Sequence, residues 1–170
     1  MDANIKIISF GGGCHWCTEA VFQSLIGVER VEQGYVASVG ENASFSEAVI
    51  VHFNDIVIPL KTLIEIHLHT HKSTSLHSMR HKYRSAVYTF SEEQLNEANF
   101  ILKELQTEFN KKIITKVYTF SEFKPSRESI QNYYLKNPKK PFCERFINPK
   151  LELLLKKFGD RVHKDFLIKS

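Results

Sequence analysis

The chain has 170 residues, a net charge of +4 and 42% apolar residues, which fits one domain with its own core and excludes disorder and a collagen-type repeat. Three cysteines, an odd and sparse set, exclude a disulfide framework and suit reactive thiols in a reducing compartment, read as the cytoplasm. The polar start Met1-Asp2-Ala3-Asn4 shows no signal-peptide pattern, and no apolar run approaches the ~18–20 residues a membrane span needs.

Lys6–Phe10 is a short apolar run and reads as a strand, broken by Gly11-Gly12-Gly13. Trp16–Leu25 reads as a helix with Trp16, Ala20, Val21 and Leu25 on one stripe, ending before Gly27. Val28–Val39 and Phe45–Phe53 read as a hairpin across the polar Gly40-Glu41-Asn42. Pro59 suits a first helical position, and Leu60, Leu63, Ile64 and Leu68 continue the helix. His71–Lys82 is polar and irregular, and Tyr83–Phe90 reads as a strand. Ser91 with Glu93 and Gln94 marks the start of a helix carrying Leu95, Ala98, Leu102, Leu105 and Phe109. Ile113–Phe120 then reads as a strand and Glu128–Leu135 as a helix. From Asn137 the chain turns rich in Pro and Lys and reads as a loop or tail, with a short basic helix over Leu151–Phe158. This order predicts an α+β two-layer sandwich on a mixed sheet, with a ferredoxin-like βαββαβ core, in a single domain 1–170 whose coil-rich tail is 137–170.

The sharpest motif is Phe10-Gly11-Gly12-Gly13-Cys14-His15-Trp16-Cys17. A strand ends, glycines turn the chain, and a cysteine arrives at the start of a helix. A helix N-terminus carries about half a positive charge and unpaired N–H groups. Both favour thiolate over thiol, as a nucleophile requires. The plain alternative is a small buried cysteine beside a turn. Cys17 lies one helical turn on, so the motif is also a C-x-x-C, in which the first thiol attacks and the second resolves. A zinc site would need further ligands; Cys143 stands alone in sequence, and no metal is expected.

These residues resemble the G-C-F-W-G signature of the A-type peptide methionine sulfoxide reductases. The likeness runs from about Ile5 to Leu151. Val28–Tyr35, Ser46-Glu47-Ala48-Val49, Tyr83–Tyr88 and Gln131–Pro138 are similar to the family's later motifs in the same order, and Pro141–Leu151 to the tail many members carry. The sequence is a divergent one: His15 stands for the signature's Phe, Cys17 for its second Gly, and Ser78 where members place an acid. The resemblance implies Cys14 as nucleophile, Glu47 as acid, and Tyr35 and Tyr83 as phenols holding the sulfoxide oxygen. It implies a methyl-binding wall at Trp16, with His15 beside it, and Cys143 as resolving cysteine; Cys17 is the second candidate for that step. No bound cofactor is implied, only an external dithiol such as thioredoxin or dithiothreitol. The substrate implied is methionine S-sulfoxide, free or in proteins.

That residue set suits the chemistry. A sulfoxide sulfur is a poor electrophile until its oxygen is protonated, so a thiolate and an acid must face each other across the S=O bond. The oxidised cysteine is a sulfenic acid, which a second thiol condenses to a disulfide. Two other activities fit part of the pattern: a general thiol–disulfide oxidoreductase using Cys14 and Cys17, or a relative that binds sulfoxide without turnover.

Two remaining features read as surface. His67, His69, His71, His77 and His81 form a histidine-rich stretch taken as a solvated helix end and loop. Lys136, Lys139, Lys140, Arg145, Lys150, Lys156 and Lys157 form a basic tail taken as solvated, with no nucleic-acid or membrane partner. A monomer is expected.

Overall fold

The structure, a computed structural model, describes residues 4–168; the signal-peptide reading of Met1-Asp2-Ala3 falls outside them. Six strands, β1 (Ile5–Gly11), β2 (Val28–Ala37), β3 (Ser46–Asn54), β4 (Ala86–Thr89), β5 (Lys116–Thr119) and β6 (Glu122–Pro125), form one sheet in the order β5-β4-β1-β3-β2-β6. The inner four strands with helices α1 (His15–Gln23) and α2 (Leu60–Thr70) are the expected βαββαβ unit, its strands antiparallel. β5 runs parallel to β4 and makes the sheet mixed.

Period-two alternation divides the strands between two faces. Ile8, Phe10, Val49, Val51 and Phe53 join the buried stripes of α1, α2 and α3 (Glu92–Leu105), and Phe10 stacks on Phe22 at 4.7 Å. Val36, Ala48, Ala86 and Tyr88 point the other way, under Tyr118, Phe120 and Phe123. Parity therefore sets Glu47 and Tyr35, directly paired across β2 and β3, on the helix-bearing face. α3 starts as its sequence indicates: Gln94 N–H donates to Ser91 Oγ, while the Gln94 side chain accepts from Phe90 N–H.

Several elements differ from the sequence reading. β4 begins at Ala86 rather than Tyr83, because Ser46 Oγ accepts from Arg84 N–H and donates to Lys82 O. β5 likewise shortens from Ile113–Phe120 to Lys116–Thr119. β6 was not expected: Glu-Phe-Lys-Pro is polar and ends in proline, tolerable because it pairs on one side only, as an edge. The helix expected over Glu128–Leu135 is broken into a turn at Glu128–Ile130 and α4 (Tyr133–Lys136), with Asn132 at φ 56°. The buried Glu19 carboxylate causes the break by accepting from the N–H groups of Asn132 and Tyr133 at 2.9 and 3.1 Å.

The largest correction is the tail. Cys143–Ile147 is a π-helical turn that runs into α5 (Asn148–Phe158), and α6 (Lys164–Ile168) follows. Cys143, Ile147, Leu151 and Leu154 are buried in the main core. Their spacing is helical, but the surrounding Pro and Lys hid it in composition.

Two glycines are required by close approach. A Cβ at Gly12, whose φ is +153°, would meet the His71 ring at 2.5 Å, and one at Gly34 would meet Lys124 O at 2.3 Å.

Candidate active site

β1 delivers Gly11 between two carbonyls, Arg84 O and Glu47 O, each 3.0 Å from where a Cβ would stand. The chain turns through Gly12 and Gly13, and Cys14 becomes the N-cap of α1. Its carbonyl accepts from Cys17 N–H and Thr18 N–H at 3.1 and 3.2 Å, while its thiol plays no capping role. Cys14 is half-buried; Cys17 is buried. The Cys17 thiol hydrogen-bonds to the Cys14 sulfur, and this bond is the first cause of a Cys14 pKa below the ordinary thiol value. The same pairing, with burial, pushes Cys17 well up. Of the two sulfurs, Cys14 is therefore the one that ionises more readily.

Glu47 at the start of β3 comes to the next residue. His15 N–H donates to Glu47 Oε1 at 3.2 Å, and Lys82 Nζ lies 3.6 Å from Glu47 Oε2. Glu47 itself is 7% exposed. His15 is buried, with Nδ1 2.7 Å from Gly34 O. A carbonyl only accepts, so Nδ1 carries the ring proton. Burial holds the His15 pKa down and the ring neutral, which leaves Nε2 a bare acceptor 3.5 Å from Glu47 Oε1.

Tyr35 meets the His15 ring edge-on at 5.1 Å. Tyr83 follows Lys82, whose carbonyl accepts from Glu47 N–H and whose ammonium lies 5.1 Å from the Tyr83 ring centre. Cys14, His15, Glu47 and Tyr35 are therefore brought together, with Tyr83 beside Lys82 at their edge. Trp16 turns towards the C-terminal segment: Tyr133 stacks on one face at 4.1 Å and Phe142 meets its edge at 5.0 Å. Cys143 is fully buried and donates to Asn137 O at 3.5 Å. It lies near enough to Cys17 for the two to interact electrostatically. Ser78 is exposed in the loop before Tyr83.

Several site residues escaped the sequence reading. Arg80 donates to the carbonyls of Gly12 and Tyr83 at 2.8 and 2.9 Å and to those of Ser75 and Lys72, tying the loop to the catalytic turn. Glu19 also accepts from Gln33 Nε2 at 2.9 Å and anchors α1 to β2. Lys150, read as solvated, is half-buried and donates to Thr70 O. Sequence carries no sign of these pairings, since each joins segments far apart in the chain. A larger groove of about 700 Å³ beside Glu19, Gln33 and Phe166 includes none of the three thiols.

The histidine stretch is also not solvated as a whole. His67 is buried against Phe10 at 4.7 Å and stacks on His71 at 4.1 Å. His71 Nδ1 donates to His67 O, and Nε2 lies 2.8 Å from Ser85 Oγ. On another flank of α2, His69 Nε2 lies 2.7 Å from Glu108 Oε1 beside Glu65, and Glu108 reaches it from a distant segment of the chain.

Burial pushes His67 well down and His71 down to about 3. Lowered histidine pKa values mean that the unfolded chain binds the proton first. The stability they contribute is present above about pH 6.5 and is lost as pH falls towards the folded values. Each ring then removes about 1.4 kcal/mol per pH unit, so urea melts at pH 6.5 and pH 5 should differ by about 2 kcal/mol per ring. His67→Gln should flatten this slope.

A low-pKa thiol on a helix N-terminus, backed by a buried carboxyl, is the arrangement of a thiol-dependent oxidoreductase. A sequence model described as Peptide methionine sulfoxide reductase matches residues 6–162. The peptide methionine sulfoxide reductase MsrA of Deinococcus radiodurans is 35% identical over 90% of this chain and 82% of its own, and that of Pasteurella multocida 35% identical over 83% and 89%. Saccharomyces cerevisiae Mxr1 in reduced form superposes with a TM-score of 0.71 at 25% identity, over 84% of this chain and 91% of that one. Mxr1 in complex with Trx2 gives 0.60 at 25% identity, over 78% and 87%. The chain belongs to the peptide methionine sulfoxide reductase family and is an oxidoreductase acting on methionine sulfoxide. Among the described residues no helix is long and apolar enough to cross a membrane.

Proposed function

We propose that the protein reduces the S epimer of methionine sulfoxide, free or within proteins, with Cys14 as nucleophile and a thioredoxin-like dithiol as final reductant. The observation that carries this reading is the geometry around Cys14. It caps α1 and lines one small cavity with Cys17, and the next residue's N–H binds Glu47.

The Cys14 thiolate attacks the sulfoxide sulfur while Glu47 gives a proton to the oxygen. Tyr35 and Tyr83 offer hydroxyl donors to the oxygen as charge develops on it. His15 and Trp16 flank the substrate methyl. The S–O bond breaks as the oxygen passes to Cys14, leaving methionine and a Cys14 sulfenic acid. Cys17 then displaces water to form a Cys14–Cys17 disulfide. Two observations support Cys17 as first partner: its thiol is already bonded to Cys14, and a C-x-x-C at a helix start suits this exchange. Cys143, in the adjoining π-helical turn, takes the bond over by attacking Cys17, and the external dithiol reduces the product. The Mxr1–Trx2 complex supports thioredoxin in that role. Three unpaired thiols support work in the reducing cytoplasm.

With dithiothreitol as reductant and separated epimers of methionine sulfoxide, chromatography should show the S epimer consumed and the R epimer left. Consumption of R alone, or of neither, overturns the reading.

A further inference from the structure

One charged side chain beside the thiols has no part in the mechanism above. Lys150 reaches from α5 into a cavity of about 20 Å³, whose walls include Cys14, Cys17, His67 and His71. That space holds at most about one water. The Lys150 ammonium donates to Thr70 O, and the groups that raise its proton affinity are Cys17 and Cys14. Burial works the other way and lowers it, as does Lys72. A half-buried ammonium without a carboxylate is costly unless negative charge faces it.

The other titratable groups around Cys14 do not supply that charge balance. His67 and His71 are neutral, because burial holds both pKa values down. Glu47 bears on Cys14 as a like charge and raises its pKa. Arg80 is engaged with backbone carbonyls, including that of Gly12. Cys143 bears on Cys17 as a further thiol. Lys82 is taken up by Glu47. Among the described residues, Lys150 is then the ammonium that lines the thiol cavity and lowers the Cys17 pKa by its charge.

We propose that Lys150 is the counter-charge of the Cys14–Cys17 pair, so that docking of helix α5 sets the nucleophile in its thiolate form. The C-terminal segment then brings two groups to the N-terminal turn, the thiol of Cys143 and the charge of Lys150. Lys150 is a positioning residue: it acts on the thiols and makes no bond to substrate. The assignment rests on Cys14 being the nucleophile.

The test reads the thiolate without sulfoxide. The full chain is alkylated with iodoacetamide at pH values from 5 to 9, and the rate at Cys14 is followed by peptide mass spectrometry. Lys150→Met keeps the stem and removes the charge, and should slow Cys14 alkylation at pH 7 about 10-fold by moving its midpoint up by about one pH unit. Lys150→Arg should keep most of the wild-type rate. A folded Lys150→Met with the wild-type profile overturns the proposal.

Should Lys150→Met fail to fold, linkage supplies the reverse measurement. By NMR of ¹³Cε-labelled lysine, the Lys150 titration midpoint should fall in Cys14→Ser, and an unchanged midpoint overturns the proposal. A wild-type Cys14 that titrates as an ordinary thiol would instead undo the nucleophile reading itself.

Discussion

Replacing Cys14 by serine should lower sulfoxide turnover by at least about 10³-fold, the scale on which removing a nucleophile acts. The hydroxyl has the size of the thiol but ionises too weakly to attack sulfur at neutral pH, and it forms no stable oxidised counterpart of a sulfenic acid. The fold should be unaffected. Cys14 contributes its carbonyl to α1, and its side chain caps nothing. A melting temperature within about 2 °C of wild type, which corresponds to about 0.5–1 kcal/mol for a chain this size, separates lost chemistry from lost structure. Retention of a tenth or more of the activity would mean that oxygen transfer does not pass through this sulfur.

The second large effect is at Glu47. Glu47→Gln should lower kcat by about 10²- to 10⁴-fold, the contribution of a positioned proton donor. The amide can still accept from His15 N–H through its oxygen, so the bond at 3.2 Å survives. What disappears is the group able to give a proton to the sulfoxide oxygen. KM should change little, because the carboxyl acts on the oxygen as charge builds rather than on the resting substrate. A fall confined to KM would recast Glu47 as a binding group.

Local patterns that bury one face were readable in the sequence. The apolar run of β3, the stripe of α1 and the glycine turn before Cys14 all appear where periodicity and composition put them. What was hidden depends on partners remote in the chain. Glu19 breaks the expected helix at Asn132 from 113 residues away. Lys150 bonds to Thr70 across 80 residues. The C-terminal helical stripe of Cys143, Ile147, Leu151 and Leu154 was obscured by prolines and lysines that themselves stay mostly outside the core.

The same contrast holds at the site. The motifs name Cys14, Glu47, Tyr35 and Tyr83 as candidates, and the fold pairs Tyr35 with Glu47 and binds Glu47 to the N–H that follows Cys14. Their supports could not be named from motifs. In sequence, His15 is only a substitution for the signature's Phe. It is anchored on Gly34 O, with its second nitrogen towards Glu47. Arg80 and Lys82, ordinary loop cations in sequence, hold the Gly12 carbonyl and flank the Glu47 carboxylate.

The central claim is that the oxygen passes to Cys14. The most direct measurement is a single turnover of Cys17→Ser/Cys143→Ser with one equivalent of methionine S-sulfoxide and dimedone, a trap for sulfenic acids. The mechanism predicts one methionine released per chain and one dimedone adduct, on Cys14. Methionine released with Cys14 unmodified would contradict it.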